Sequence, residues 1–270
     1  MENNVNNSAA EGYRQGSLSE QRLDGVSFIQ ADVCPKPGDV ILDLGCGTGE
    51  LSAYLAGLVG PEGKVIGVDP DKERIQLARH SHGQINNLSF AVASGASFPE
   101  ICGSEAFDII FSNHAFHWIS EKQQVLDNMF SNLKVGGKVA IQYVDHLPSF
   151  AFNGYMILNP ENGERICQTM YQCEPKATVE QYCSTAGFRI MRSYEYQAHF
   201  AFENIESLLK WHWSTTHGVF DLSLVTEERL QRYLAPYTVE DGTPCLDFRA
   251  MKEESTVYRL IAVKEAEKCP

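Results

Sequence analysis

Five short apolar runs recur through the first half of the chain, each parted from the next by a stretch whose apolar positions fall at helical spacing. VILDLG (40–45), KVIGVD (64–69), LSFAVA (88–93), FDIIFSN (107–113) and KVAIQYV (138–144) are rich in β-branched and aromatic residues and too short for helices. Each reads as a buried strand. Between them LSAYLAGLV (51–59), KERIQLARHS (72–81) and EKQQVLDNMFSNL (121–133) gather apolar residues on one helical face. Gly60-Pro61 stops the first of these helices, and Val135-Gly136-Gly137 reads as the turn after the third. Strands alternating with helices imply right-handed crossovers and a parallel sheet.

After Asp145 the pattern loosens. Residues 146–177 read as a helical insertion broken by Pro and Gly, followed by a helix at 178–188 and a strand at 189–200. Further helical stretches occupy 203–237, and TVYRLIAVKEA (256–266) alternates like a final edge strand. The expected fold is α/β: a doubly wound, mostly parallel seven-stranded sheet with helices on both faces and a helical lid over its carboxyl edge. All of 1–270 then forms a single domain, with 1–12 polar and frayed and 13–34 a helical cap. The insertions at 146–177 and 203–237 supply the lid. Tyr155, Met156, Ile157, Met170, Tyr171, Leu208, Leu209, Trp211 and Trp213 are its apolar residues, expected to line an acceptor pocket.

With 43% apolar residues in 270, the chain can close a core without staples. Its 22 basic against 35 acidic residues give a formal charge of −13, and neither half is basic. A nucleic-acid partner is therefore not expected. The opening has no basic segment followed by an apolar one, and no apolar run approaches the ~18 residues of a membrane helix. The expectation is a cytoplasmic protein with no membrane insertion. Eight cysteines lie at irregular spacings without a C-x-x-C pair, which reads as free thiols and no metal.

The chemistry sits between the first strand and the first helix, at Asp43-Leu44-Gly45-Cys46-Gly47-Thr48-Gly49. Glycines there allow a tight turn whose backbone can approach a ligand at the sheet's carboxyl edge. Asp69 ends the second strand, where a carboxylate can accept both hydroxyls of a ribose. A dinucleotide fold would need a third glycine where Glu50 stands, and its charge would oppose a pyrophosphate. The spacing D-x-G-x-G-x-G instead resembles Rossmann-like S-adenosylmethionine-dependent methyltransferases, whose ligand brings an ammonium and a sulfonium toward Asp43. In that class the loop after the third strand usually carries Gly-Asp-Ala, its Asp accepting from the adenine amino group. Here the stretch is Ser94-Gly95-Ala96, leaving the backbone of Gly95 and Ala96 to meet the adenine.

The fourth strand runs into Ser112-Asn113-His114-Ala115-Phe116-His117-Trp118, and the chain opens with Tyr13-Arg14-Gln15-Gly16-Ser17 and Gln21-Arg22-Leu23-Asp24. Over roughly residues 13–144 these stretches resemble juvenile hormone acid methyltransferases and related carboxyl methyltransferases. The resemblance implies that Gln21 and Trp118 hold a substrate carboxylate and that Asn113 meets the methionine part of the co-substrate. Tyr13, Asp43, Gly45, Cys46, Gly47, Asp69, Pro70, Gly95 and Ala96 complete the co-substrate set. A carboxylate is ionised at pH 7 and needs no general base, so neutral donors that align it suffice. The expected function is methyl transfer to the carboxylate of a small, partly apolar acid. Two alternatives stand beside it. One is methylation of an amine, imidazole or phenol with His117 or His114 removing the proton. The other is a non-catalytic ligand-binding protein that kept the fold. The Trp211-His212-Trp213 cluster reads as packing.

Overall fold

The computed structural model describes residues 20–102, 106–198, 200–238, 242–247 and 255–266, apart from the side chains of residues 20–22 and 101. The fraying of 1–12, the opening from Tyr13 and the side chain of Gln21 lie outside the described residues. The described chain starts with α1 (Glu20–Phe28), which continues as a wider turn over Ile29–Val33. There follow β1 (Val40–Leu44), α2 (Glu50–Val59), β2 (Lys64–Asp69), α3 (Lys72–His82), β3 (Leu88–Val92), α4 (Phe98–Cys102), β4 (Phe107–Asn113), α5 (Lys122–Asn132) and β5 (Leu133–Val144). Then come α6 (Ser149–Asn153), α7 (Pro160–Arg165), α8 (Lys176–Thr185), β6 (Arg189–Ala198), α9 (Ile205–Thr215), α10 (Glu227–Leu234) and β7 (Ser255–Val263).

The strands form one seven-stranded sheet in the order β3-β2-β1-β4-β5-β7-β6. β3 through β5 run parallel, and β7 is antiparallel to β5. Successive side chains of a strand point to opposite faces, so both faces need a core. Ile41, Val65, Ile109, Phe111 and Ala140 join Phe28, Leu55 and Ile75 on one face. Leu42, Ile66, Ile110, Val139 and Ile141 join Leu126, Met129 and Val179 on the other. Continuous apolar runs in the sequence are the signature of this double burial.

Two expectations are corrected. Residues 256–266 do not make an edge strand, because β7 lies between β5 and β6 and is buried along nearly its whole length. The edge on that side is β6, none of whose residues is buried. The expected turn at Val135-Gly136-Gly137 is instead part of β5. Gly136 takes φ +83. Its N–H donates to Lys264 O at 2.7 Å and Gly137 O accepts from Lys264 N–H at 2.9 Å, so the kink is absorbed by pairing with the residue that follows β7.

The described residues divide into two compact units. The larger comprises residues 21–145, 174–195 and 257–266 and holds the parallel strands with α1 to α5 and α8. The smaller comprises 146–173 and the described part of 196–256 and is built from α6, α7, α9 and α10. Its core is aromatic: Phe150, Tyr155, Trp211, Phe220 and Tyr233 pack with Leu158, Ile166 and Leu208. Of the residues expected to line a pocket, Tyr155, Leu208 and Trp211 are buried in this core. His212 is fully buried there as well, its Nδ1 2.9 Å from Leu208 O, so the Trp211-His212-Trp213 cluster is packing. No described helix is long and apolar enough to cross a membrane.

Candidate active site

The carboxyl ends of β1, β2, β3 and β4 lie side by side in the sheet, and the predicted co-substrate residues from Asp43 to Asn113 collect there; Tyr13 lies outside the described residues. Gly45, Gly47 and Gly49 take φ values of +79, +55 and +90, the left-handed region that favours glycine. Two of them also have no room for a side chain. A Cβ on Gly45 would lie 2.2 Å from Ala115 Cβ, and one on Gly49 would lie 2.6 Å from Phe90 Cζ. The turn is pinned to β2, since Gly45 N–H and Cys46 N–H both donate to Val68 O, at 2.8 and 3.0 Å.

Asp69 closes the cradle. It is 4% exposed, its Oδ2 accepts from Gly47 N–H at 3.0 Å and its Oδ1 accepts from Asp71 N–H at 2.9 Å. No described cation pairs with it, so each oxygen keeps a lone pair for a neutral donor such as a ribose hydroxyl. Pro70 follows, exposed, at the rim. Glu50 opens α2 and accepts from Thr48 Oγ1 at 2.6 Å, which places a carboxylate where a dinucleotide fold would hold its pyrophosphate.

Asp43 is buried at the end of β1 and accepts from Ser52 Oγ at 2.5 Å. Burial pushes its carboxyl up to about 7; the Ser52 bond offsets part of this and the charge of Asp69 adds to it. The unfolded value is near 3.9, so the folded protein holds this proton more tightly than the unfolded chain. Stability from this group is full at acid pH and is lost as pH rises from about 4 through 7. Asp43→Asn, which keeps an acceptor for Ser52, is expected to raise stability at pH 8 by a few kcal/mol, at ~1.4 kcal/mol per pKa unit. Near pH 4 it should change little. Calorimetric unfolding at the two pH values checks this.

The loop after β3 explains the missing adenine carboxylate. A Cβ on Gly95 would lie 2.7 Å from Val125 Cγ2, so α5 already fills the space an Asp would need. The carbonyls of Gly95 and Ala96 accept from Asn128 Nδ2 at 3.1 and 3.3 Å, which fixes the loop's backbone against the same helix.

On the acceptor side, β4 ends at Asn113 and the chain turns through His114, a non-glycine residue at φ +51. A residue held there costs of order 1 kcal/mol and persists only where its surroundings fix it. His114 N–H donates to Gln142 O at 2.9 Å. Phe116–Trp118 form a single tight helical turn on which Trp118 is half-buried. His117 is buried, and its Nδ1 lies 3.4 Å from the Val144 N–H. Burial, with His114 and Lys122 nearby, holds its pKa well below the usual imidazole range.

Sequence reasoning missed the polar row beside these residues. Gln142 on β5 stands in register with Asn113 on β4 and with Arg259 on β7. Gln142 is fully buried, its Oε1 accepting from Arg259 Nε at 2.6 Å. Its Nε2 lies 2.8 Å from Asp24 Oδ2, 2.9 Å from Asn113 Oδ1 and 3.0 Å from His114 Nε2. Arg259 also donates to Asp24 Oδ1 at 2.6 Å, tying α1 to the sheet. Asp24 falls in the opening quoted from the sequence, but nothing there couples it to residues more than 100 positions away.

Comparison with known proteins places this architecture. The family model described as a methyltransferase domain matches residues 35–222. The chain belongs to the methyltransferase-domain family. Among curated methyltransferases, a trans-aconitate 2-methyltransferase of Deinococcus radiodurans is 34% identical over 114 residues, 42% of this chain and 41% of that protein. The chain thus spans about two-fifths of the length of that relative. A ubiquinone/menaquinone biosynthesis C-methyltransferase of Vibrio campbellii is 27% identical over 177 residues, 59% of this chain and 68% of that one. Among solved structures, Haemonchus contortus phosphoethanolamine N-methyltransferase 2 in complex with S-adenosyl-L-methionine superposes with a TM-score of 0.58. The match is at 16% identity and covers 95% of this chain and 57% of that one, a likeness of fold alone.

S-adenosylmethionine, the methyl donor of such domains, fits the residues present. The cradle has no space for side chains at Gly45 and Gly49, and Asp69 is a buried carboxylate with backbone partners only. Asn113 bonds through Oδ1 to Gln142, and its Nδ2 has no described partner.

Proposed function

We propose that this methyltransferase domain transfers the methyl group of S-adenosylmethionine to the carboxylate of a small, partly apolar acid. When bound, the co-substrate supplies an electrophilic methyl carbon on a sulfonium. The acceptor oxygen forms the new C–O bond as the C–S bond breaks, and no proton has to be removed. The residues of the chain then have three tasks: Asp69 and the glycine turn hold the nucleoside, Trp118 with Gln21 holds the carboxylate, and the closed site excludes water.

The observation that carries the acid acceptor over a base-assisted one is the state of His117. A desolvated imidazole with one ring nitrogen toward a backbone N–H is a poor general base. The resemblance to juvenile hormone acid methyltransferases supports the same reading. So does the match to a trans-aconitate methyltransferase, whose named substrate is a carboxylic acid.

The test is turnover with methyl-labelled co-substrate against a panel of acids, amines and phenols. Acids should be methylated, and at saturating co-substrate their turnover should persist down to about pH 5 because no base titrates. Trp118→Phe keeps the ring area and removes the indole N–H. It should cut turnover with acids by roughly 10- to 100-fold and leave co-substrate affinity unchanged. Amine or phenol turnover that collapses below pH 6.5, with a silent Trp118→Phe, would overturn the acid reading.

A further inference from the structure

Residues Ser94 to Ser97 form a tight turn between β3 and α4. Ser97 N–H donates to Ser94 O at 3.1 Å, and Phe98 N–H donates to the same oxygen at 2.9 Å. The approach to the turn is tied to the co-substrate cradle, since Ala93 N–H donates to Asp69 O at 3.1 Å. The peptide between Gly95 and Ala96 is the central one of the turn. Such a peptide can face either way, which is what separates type I from type II turns. One side chain settles it here. A single amide atom of Asn128, on α5, lies 3.1 Å from Gly95 O and 3.3 Å from Ala96 O. Carbonyl oxygens only accept, so that atom is Nδ2, and its two N–H groups are matched one to each carbonyl. Neither Gly95 nor Ala96 takes a positive φ, in keeping with a type I turn.

A trans peptide points its C=O and the N–H that follows in opposite directions. With Gly95 O held toward α5, Ala96 N–H points away from that helix. α5 packs on the face of the sheet that carries Leu42 and Ile66, and strand alternation puts Asp69 on the other face with Val65. Ala96 N–H is therefore a donor on the side of Asp69, at an exposed residue, with no partner among the described residues. The acceptors of the loop are engaged. Both carbonyls go to Asn128, Ser94 O closes the turn, and the hydroxyls of Ser94 and Ser97 lie 3.1 Å from one another. Gly95 carries no carboxylate, and Val125 leaves no room for one.

We propose that Asn128 is a positioning residue that turns Ala96 N–H toward the nucleobase of the co-substrate, so that this loop reads the base by its N1 acceptor rather than by its 6-amino group. The proposal rests on the methyltransferase reading above and deepens it, by naming the edge of the purine that this chain recognises. A purine with a lone pair at N1 accepts from Ala96. A 6-oxo purine carries a hydrogen at N1 and sets donor against donor, leaving both unbonded. The 6-amino group itself adds little, because the carbonyls that would accept from it are held by Asn128.

Calorimetric titration with S-adenosylhomocysteine, its 6-oxo (hypoxanthine) analogue and its analogue with hydrogen at C6 tests this. The unaltered protein should bind the 6-oxo ligand roughly 10- to 100-fold more weakly than the adenine one, and the 6-hydrogen ligand within about threefold of it. Asn128→Asp keeps the shape of the side chain, removes both N–H groups and sets a charge against two carbonyls. It should bind S-adenosylhomocysteine roughly tenfold more weakly and separate it from the 6-oxo ligand by less than about threefold. A structural defect alone would weaken all three ligands equally. If the variant fails to fold, NMR of the unaltered protein decides: hydrogen exchange at Ala96 N–H should slow roughly tenfold or more when S-adenosylhomocysteine binds. A 6-hydrogen ligand lost as fully as the 6-oxo one, equal losses of all three ligands in Asn128→Asp, or an Ala96 amide whose exchange ignores bound S-adenosylhomocysteine would each overturn the proposal. An unaltered protein that binds none of the three ligands would instead overturn the methyltransferase reading on which it rests.

Discussion

Asp69→Ala is expected to lower the affinity for S-adenosylhomocysteine by about 100-fold or more. The carboxylate is buried, and its two oxygens are aimed by Gly47 N–H and Asp71 N–H rather than neutralised by a cation. Hydrogen bonds to a charged acceptor are worth ~1.5–3 kcal/mol each. Two ribose hydroxyls therefore account for ~3 kcal/mol at the low end, a factor of roughly 100. The alanine also leaves the N–H of Gly47 without its acceptor, which loosens the turn itself. Asp69→Asn retains one carbonyl oxygen and should lose only about tenfold. Calorimetric titration of the three proteins measures both effects. An unchanged affinity in Asp69→Ala, or tighter binding of a nicotinamide dinucleotide than of S-adenosylhomocysteine, would refute the assignment of the cradle.

The second large effect lies in the helical unit. A Cβ on Gly154 would sit 2.0 Å from His212 Nε2, and the imidazole has nowhere to go. The rings of Phe150, Tyr155, Trp211, Phe220 and Tyr233 all have centroids within 6.2 Å of it. Gly154→Ala should therefore destabilise this unit by ~2–4 kcal/mol, the range of overpacking in a closed core. Combining it with His212→Ala should cost much less than the sum of the two, because the second change empties the space the first one needs. Near-ultraviolet circular dichroism follows the loss, since this core is built from aromatic rings. Burial also pushes His212 down to about 4, against an ordinary value of about 6.5. Its folded form resists the proton that its unfolded form takes, so the unit loses stability as pH falls from about 6.5 to 4. Gly154→Ala with an unaltered melting profile would show that the unit's core is not closed around His212.

What the sequence makes legible follows from the range of the interactions. The strands ending at Asp69 and Asn113 have the residue bounds their apolar runs predict, because burial on both faces writes itself into consecutive residues. The glycine turn is equally local: three glycines in five positions encode three left-handed φ angles. The placement of β7 is not local. Its alternation fits an edge as well as an interior strand, and only its place between β5 and β6 decides. Arg259 and Gln142 are 117 residues apart, and their bond exists only through that pairing. The departure at Gly95 could be read as a lost function from the sequence; Val125 shows it to be a matter of space.

The interior position of β7 has a consequence for how the protein is made. The sheet is threaded out of order, so β6 emerges from the ribosome with no neighbour, and β5 waits with one edge unpaired for more than 100 residues of synthesis. Residues 255–263 must then insert between them. Such long-range closure is slow, and an unpaired edge kept open that long is exposed to aggregation. Arg259 arrives with this last strand, and it is Arg259 that orients Gln142. A nascent chain with the glycine turn and Asp69 already folded would still lack the bond from Arg259 that fixes the amide of Gln142. The contact between β5 and β7 that fixes Gln142 is thus made long after the glycine turn and Asp69 have been synthesised.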